Sequence, residues 1–257
     1  MNSTIAEAMI YQLALTIKDG DLVFHGYGSP LVQIALHLAK RFLTPNMILV
    51  AGATYAVNPT PAFLTPTSND SAMASNAECV LNIEELFDLA ASGRMNRMFL
   101  SGLQIDASGN LNVTQLPNMK LPGGGGGGNL SCDAQHITIW TAAHRTELDK
   151  QGKRRYRLVK HCDFITSVGR KADKLITELA VFDFDESKKA RLIQLYPDTD
   201  INTVKEHTEF EFSVSNDLSI VELPNMAMIQ FIREFDPLLI HQREFRANEL
   251  NRLLKSK

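Results

Sequence analysis

Between Asp21 and Asp70 the chain carries no aspartate or glutamate. That stretch covers two strand ends and the start of a long loop, so neither strand end offers a carboxylate nucleophile or base. Other absences narrow the field further. The longest apolar run, Met47 to Ala53, is far below the ~18 residues that span a bilayer. No basic, then apolar, leader opens the chain, and the expectation is a cytoplasmic protein that meets no membrane. Cysteine is scarce: Cys79, Cys132 and Cys162 are an odd, widely spaced set that suits neither a disulfide framework nor a zinc site. A net charge of −3 gives no footprint for nucleic acid. Phosphate-loop, H-E-x-x-H and G-x-S-x-G signatures are all missing.

What is present is ordinary in bulk and unusual in one place. Of 257 residues, 44% are hydrophobic and 21% charged, as in a soluble globular protein. Six of the 15 glycines, however, stand together as Gly123–Gly128. Glycine loses the most backbone entropy on folding, so the run answers a local demand. It leads shortly into the apolar Ile137-Thr138-Ile139-Trp140, which places it inside a folded core and not in a linker. A bare backbone there can present N–H groups to a phosphate or a developing oxyanion.

In chain order, Thr4-Ile5-Ala6-Glu7 reads as a capping box. Apolar residues then recur at helical spacing to Ile17, with Gly20 as the stop. Leu22–Phe24 is a short buried strand and His25 to Ser29 a glycine turn. Leu31–Leu43 is a helix with Ser29 as N-cap and Pro30 at its first position, and Met47–Val50 is a second strand. This is a βαβ unit on a parallel sheet, with ligands expected at the strand C-termini. His25 is the histidine best placed to face a cleft, although a packed or solvent-facing histidine is the leading reading of it. A long ordered loop runs from Ala51 to Asn76. A helix over Ile83–Ala91, a strand over Arg97–Leu100 and a turn at Asp106–Asn110 follow. Later strands are read at 137–141, 162–167, 177–184, 191–196 and 210–214. A short helix or turn is read at 200–207, and closing helices at 224–234 and 243–254. The basic run 151–157 reads as a solvated face or a contact to nucleotide phosphates. No linker is evident, so the expectation is one domain over 1–257.

The order of these pieces resembles the β subunits of family I CoA-transferases, in the glutaconate CoA-transferase branch. Asp19-Gly20-Asp21-Leu22-Val23-Phe24-His25-Gly26-Tyr27-Gly28-Ser29-Pro30 is similar to that family's first strand and G-x-G-x-P turn. Met47–Gly52 is similar to its second strand. Gln104-Ile105-Asp106-Ala107-Ser108-Gly109-Asn110-Leu111-Asn112 looks like its Q-x-D-x-x-G-N-x-N turn. The glycine run corresponds to its glycine-rich loop. Val181–Phe184 with Leu195–Asp198 resembles its late strands, so the likeness spans roughly residues 5 to 235.

The resemblance implies an α/β CoA-transferase-like fold (the NagB/RpiA/CoA-transferase class), a mainly parallel sheet flanked by helices. It implies a homologous α subunit, with α2β2 expected, and coenzyme A as part of the substrate with no permanently bound cofactor or metal. The family's transferases form a thioester on a glutamate just after the second strand. Here Ala51 stands at that place, and alanine cannot attack a thioester. The pattern is closest to the small subunit of the steroid ring-opening hydrolase of the IpdAB type. The leading expectation is therefore a ring-opening C–C hydrolase acting on a steroid-derived CoA thioester, with its general base on the α subunit. A glutaconate- or 3-oxoacid-type transferase subunit, a decarboxylase of the 3-methylglutaconyl-CoA kind and a non-catalytic binding subunit are the alternatives. In this reading the backbone of Gly126, Gly127, Gly128 and Asn129 forms an oxyanion site. Gly26, Gly28 and Gly52 let the acyl–pantetheine arm approach, and Tyr55, Asn58 and the proline-rich loop shape the acyl pocket.

Overall fold

The first helix starts where the capping box predicts. In the computed structural model, which describes residues 3–149, 151–246 and 252–254, the Thr4 hydroxyl accepts the Glu7 N–H at 3.2 Å. The Glu7 carboxylate accepts the Thr4 N–H at 2.7 Å. Helix α1 (Ile5–Ala14) is buried along its whole length. It ends before Gly20, because the Thr16 hydroxyl donates to the Leu13 carbonyl at 2.8 Å. Gly20, at φ +86°, serves the next turn, closed by the Asp21 N–H on Lys18.

The chain continues through β1 (Leu22–His25), α2 (Pro30–Phe42), β2 (Ile48–Ala51), β3 (Ala56–Val57), β4 (Cys79–Val80), α3 (Ile83–Ala91) and β5 (Arg97–Leu100). After several two-residue ladders come α4 (Gly127–Asp133), β6 (His136–Thr141), β7 (Ala172–Thr177), β8 (Ala180–Phe184), β9 (Ala190–Leu195), α5 (Ile201–His207), β10 (Ser213–Ile220) and α6 (Met226–Phe235). No helix among the described residues is long and apolar enough to cross a membrane.

The residues form two compact units. The first holds the chain up to Phe99, Asp133–His136 and the residues from Glu222 on. Its strands β5, β1 and β2 are parallel, and β3 and β4 extend β2 antiparallel. This is the βαβ arrangement expected, with Pro30 at the first position of α2 and Ser29 as N-cap, although the Ser29 side chain makes no capping bond. Leu31, Ile34 and Leu38 fall on one helical face and are fully buried, so apolar burial seats α2. Across the same unit Glu7 accepts from Arg233 Nε of α6 at 2.6 Å.

The second unit holds Leu100–Cys132 and Ile137–Val221. Strands β6 and β7 are parallel, β7, β8 and β9 antiparallel, and β9 and β10 parallel. Leu175, Ile176 and Phe182 are buried between its layers. The Asp106–Asn110 turn forms as read. Asp106 Oδ1 accepts the Ser108 N–H at 2.9 Å, and Oδ2 accepts from the Asn110 amide at 2.8 Å. The fold is thus α/β.

Three expectations shift. The strand read at 210–214 runs from Ser213 to Ile220. Segment 162–167 is not a strand, and the ladder begins instead at Ala172. The closing helix read at 243–254 falls partly on 247–251, outside the described residues. On either side of that gap, Ile240–Glu244 is a 3-10 turn and Leu253–Leu254 pairs antiparallel with Ser3–Thr4. Asp236 sets the turn by accepting the Ile240 and His241 N–H groups, each at 2.9 Å.

Candidate functional site

Strand β1 ends at His25 and β2 at Ala51, and these two residues pair across the parallel ladder. Paired residues leave a sheet on the same face, so the methyl of Ala51 and the imidazole of His25 are neighbours. Ala51 is buried. His25 is 3% exposed, and its Nδ1 lies 2.9 Å from the Gly26 carbonyl. A carbonyl only accepts, so Nδ1 carries the proton and Nε2 keeps its lone pair. Burial pushes this histidine down to about 4, only partly offset by the Gly26 carbonyl, and it is neutral at physiological pH. On α2, His37 is held down at about 3 by desolvation first, and then by repulsion from Lys40 and from His25 in its protonated form.

The glycines around this strand end differ in their reasons. A Cβ on Gly52 would lie 1.8 Å from the His25 carbonyl oxygen, so Gly52 is required by the packing of β1 against β2. Its glycine identity therefore has a packing reason of its own. At Gly26 and Gly28 a Cβ would meet nothing within 4 Å. Gly28 still needs its φ of +69°, and its N–H donates to Ser68 Oγ at 3.1 Å.

Tyr55 and Asn58 carry left-handed backbone at φ +56° and +49°. The Tyr55 N–H closes the turn on the Ala51 carbonyl at 2.8 Å. Asn58 is spent on the fold: its Oδ1 accepts the Leu49 N–H at 2.9 Å, and its amide donates to Glu78 at 3.1 Å. The proline-rich loop does wall a cavity of about 470 Å³, with Pro59, Pro61, His37, Arg41 and Phe231 in its lining, but Tyr55 and Asn58 are not among them. That cavity lies along the later turns of α2, away from the helix start that follows β1.

In the second unit the glycine run is half loop and half helix. Gly123 and Gly125 have φ of +87° and +51°, and a Cβ on Gly124 would press on Thr166 Cγ2 at 2.9 Å. Thr166 was overlooked in the sequence, where it sits in an ordinary β-rich stretch. It accepts the Val113 N–H at 3.0 Å and meets the Thr114 hydroxyl at 2.8 Å, which fixes the floor of the loop. Helix α4 then begins at Gly127. The Gly127 N–H is taken by the Gly124 carbonyl at 2.8 Å, so it is not an open donor, contrary to expectation. Among the described residues the N–H groups of Gly126, Gly128 and Asn129 have no acceptor. A Cβ on Gly127 or Gly128 meets only ordinary contacts, at 3.6 and 3.8 Å. The fold therefore does not demand glycine there. Cys132, one turn on, donates to the Gly128 carbonyl at 3.2 Å.

The basic run forms part of a hairpin in which Glu147–Leu148 pairs with Arg154–Arg155. Arg154 is occupied by Glu206 and by the Thr146 hydroxyl, while Arg155 stays exposed. Among the described residues no cluster of His, Cys, Asp and Glu could hold a metal ion.

A sequence profile described as coenzyme A transferase matches residues 6–207. The chain belongs to the coenzyme A transferase family. One of the subunits of glutaconate CoA-transferase from Acidaminococcus fermentans is 26% identical over 269 residues, covering 92% of this chain and 94% of that one. One of the subunits of 3-oxoadipate CoA-transferase from Pseudomonas knackmussii is 30% identical over 170 residues, covering 63% of this chain but only 60% of that one. Among solved structures, the decarboxylase AibA/AibB matches with a TM-score of 0.84 at 28% identity, over 94% of this chain and 98% of that one. IpdAB of Rhodococcus jostii RHA1 shares the fold, with a TM-score of 0.75 at 20% identity over 96% of this chain and all of that one. In this family coenzyme A enters as part of the substrate and not as a resident group.

Proposed function

We propose that this chain is the β subunit of a heteromeric enzyme, built with a homologous α subunit as α2β2, that cleaves a carbon–carbon bond in a CoA thioester. The observation that carries this is Ala51 at the end of β2. With no carboxylate there, no acyl-enzyme forms on this chain, and CoA transfer of the ordinary kind is disfavoured. Decarboxylation of a glutaconyl-type thioester and hydrolytic opening of a steroid-derived ring both avoid that intermediate, and both leave negative charge on a thioester enolate. The likeness to AibA/AibB favours decarboxylation. A neutral buried imidazole beside Ala51 favours hydrolysis, because water needs a base.

In either case the N–H groups of Gly126, Gly128 and Asn129 collect the developing oxyanion, and the Gly127 N–H braces the turn that presents them. Gly26 and Gly28 leave room for the acyl–pantetheine arm, and Tyr55 borders it. The test is a product assay on the purified pair. CO₂ release or a ring-opened acid supports the reading, and CoA exchange into a free acid overturns it. Gly127→Val, whose Cβ meets only Leu100 Cδ2 at 3.6 Å and whose branched methyls would crowd the flanking N–H groups, is expected to cut turnover by about 100-fold or more. Unchanged turnover in that variant removes the oxyanion assignment.

A further inference from the structure

We infer that His25 is the group on this chain that moves a proton at the reacting centre. The inference rests on the function proposed above. Three observations carry it. His25 ends β1 in register with Ala51, so its side chain occupies the neighbouring position on the same face where the carboxylate is missing. Its Nδ1 is anchored to the Gly26 carbonyl, which fixes the tautomer and turns the lone pair onto Nε2. That nitrogen has no hydrogen-bond partner among the described residues. It is also not sealed: the enclosed, unpartnered side-chain atoms of this strand-end region include Thr54 Oγ1 but not His25 Nε2. The two glycines that follow it, Gly26 and Gly28, have nothing within 4 Å of a Cβ built on them, so the chain leaving the strand end is not packed against other atoms there.

The chemistry balances without any added reagent. In hydrolysis the water oxygen bonds to the keto carbon and its proton passes to Nε2, giving an imidazolium braced by Gly26. The C–C bond breaks and its electron pair stays on the α-carbon as the thioester enolate. The Nε2 proton then moves to that carbon and the imidazole is neutral again. In decarboxylation the pair is left behind as CO₂ departs, and Nε2 delivers a proton taken up from solvent. The sequence alone pointed to the partner subunit for this role.

The experiment gives the purified α/β complex glutaconyl-CoA in D₂O and follows CO₂ and the deuterium content of the product. The variant is His25→Asn, which keeps a donor for the Gly26 carbonyl and removes Nε2. It is expected to turn over about 100-fold more slowly, with KM and thermal midpoint close to wild type. His25→Gln is the second variant if His25→Asn does not fold. A variant with wild-type kcat overturns the role of His25 and leaves the function standing. A wild-type complex that instead moves CoA to an added free acid, or that leaves both glutaconyl-CoA and a cyclic β-keto CoA thioester intact, overturns the proposed function and this inference with it.

Discussion

A carbon added at Gly52 would sit 1.8 Å from the His25 carbonyl oxygen, a contact that no side-chain adjustment can relieve because both partners are backbone-bound. Gly52→Ala is therefore expected to cost about 3 kcal/mol, read as a lower urea midpoint at unchanged slope. Gly124→Ala should also destabilise, by a smaller amount, because the atom it meets is the movable methyl of Thr166. Gly127→Ala should not lower the midpoint and should raise it slightly, because nothing crowds its Cβ and alanine favours the helix. This contrast was not legible in the sequence, where the glycines look alike. What distinguishes them is a neighbour that only register and turn geometry supply. Ala51 was legible, since a missing carboxylate can be read without any geometry. The engagement of Asn58 was not legible, because an asparagine after a strand looks available. Only the structure shows both ends of its amide engaged with Leu49 and Glu78.

Elements were legible where their ends carry side-chain signals. The Thr4–Glu7 box and Pro30 mark the starts of α1 and α2 to within a residue, although α1 ends earlier than read. Thr4→Ala should accordingly cost about 1 kcal/mol, measured by chemical denaturation. Helix α4 was not legible, because each glycine disfavours helix by about 1 kcal/mol relative to alanine. Its last glycines are nevertheless helical, with Leu130 N–H closing on the Gly126 carbonyl at 2.9 Å and Leu130 buried. Burial of the following residues overrides propensity here. The late strands were displaced for a related reason: β-rich composition marks a region, whereas strand ends depend on which partner is paired.

For the whole molecule, the informative titrations are those of two buried histidines, His25 and His144, and the half-buried His37. His25 is held at about 4, and His37 and His144 at about 3, in each case first by burial. The unfolded chain binds these protons near pH 6.5, so it carries more protons than the folded chain below that value. Stability is then full above pH 6.5 and falls as the pH drops from there through about 4 and about 3. The thermal midpoint at pH 5 should lie below that at pH 8, and His144→Gln, if folded, should narrow the difference. A flat profile between those values contradicts the assignment.

The pairing of His25 with Ala51 has a consequence for how the ring is charged. A glutamate at position 51 would stand about 5 Å away across the ladder, beside an imidazole that is now neutral. Its charge would draw a proton onto that ring, turning an uncharged strand end into an ion pair and removing the free lone pair. The proton affinity of the residue that ends β1 is therefore set by the residue that ends β2, and Ala51→Glu should raise the pH at which His25 gives up its proton, readable in its imidazole resonances by NMR.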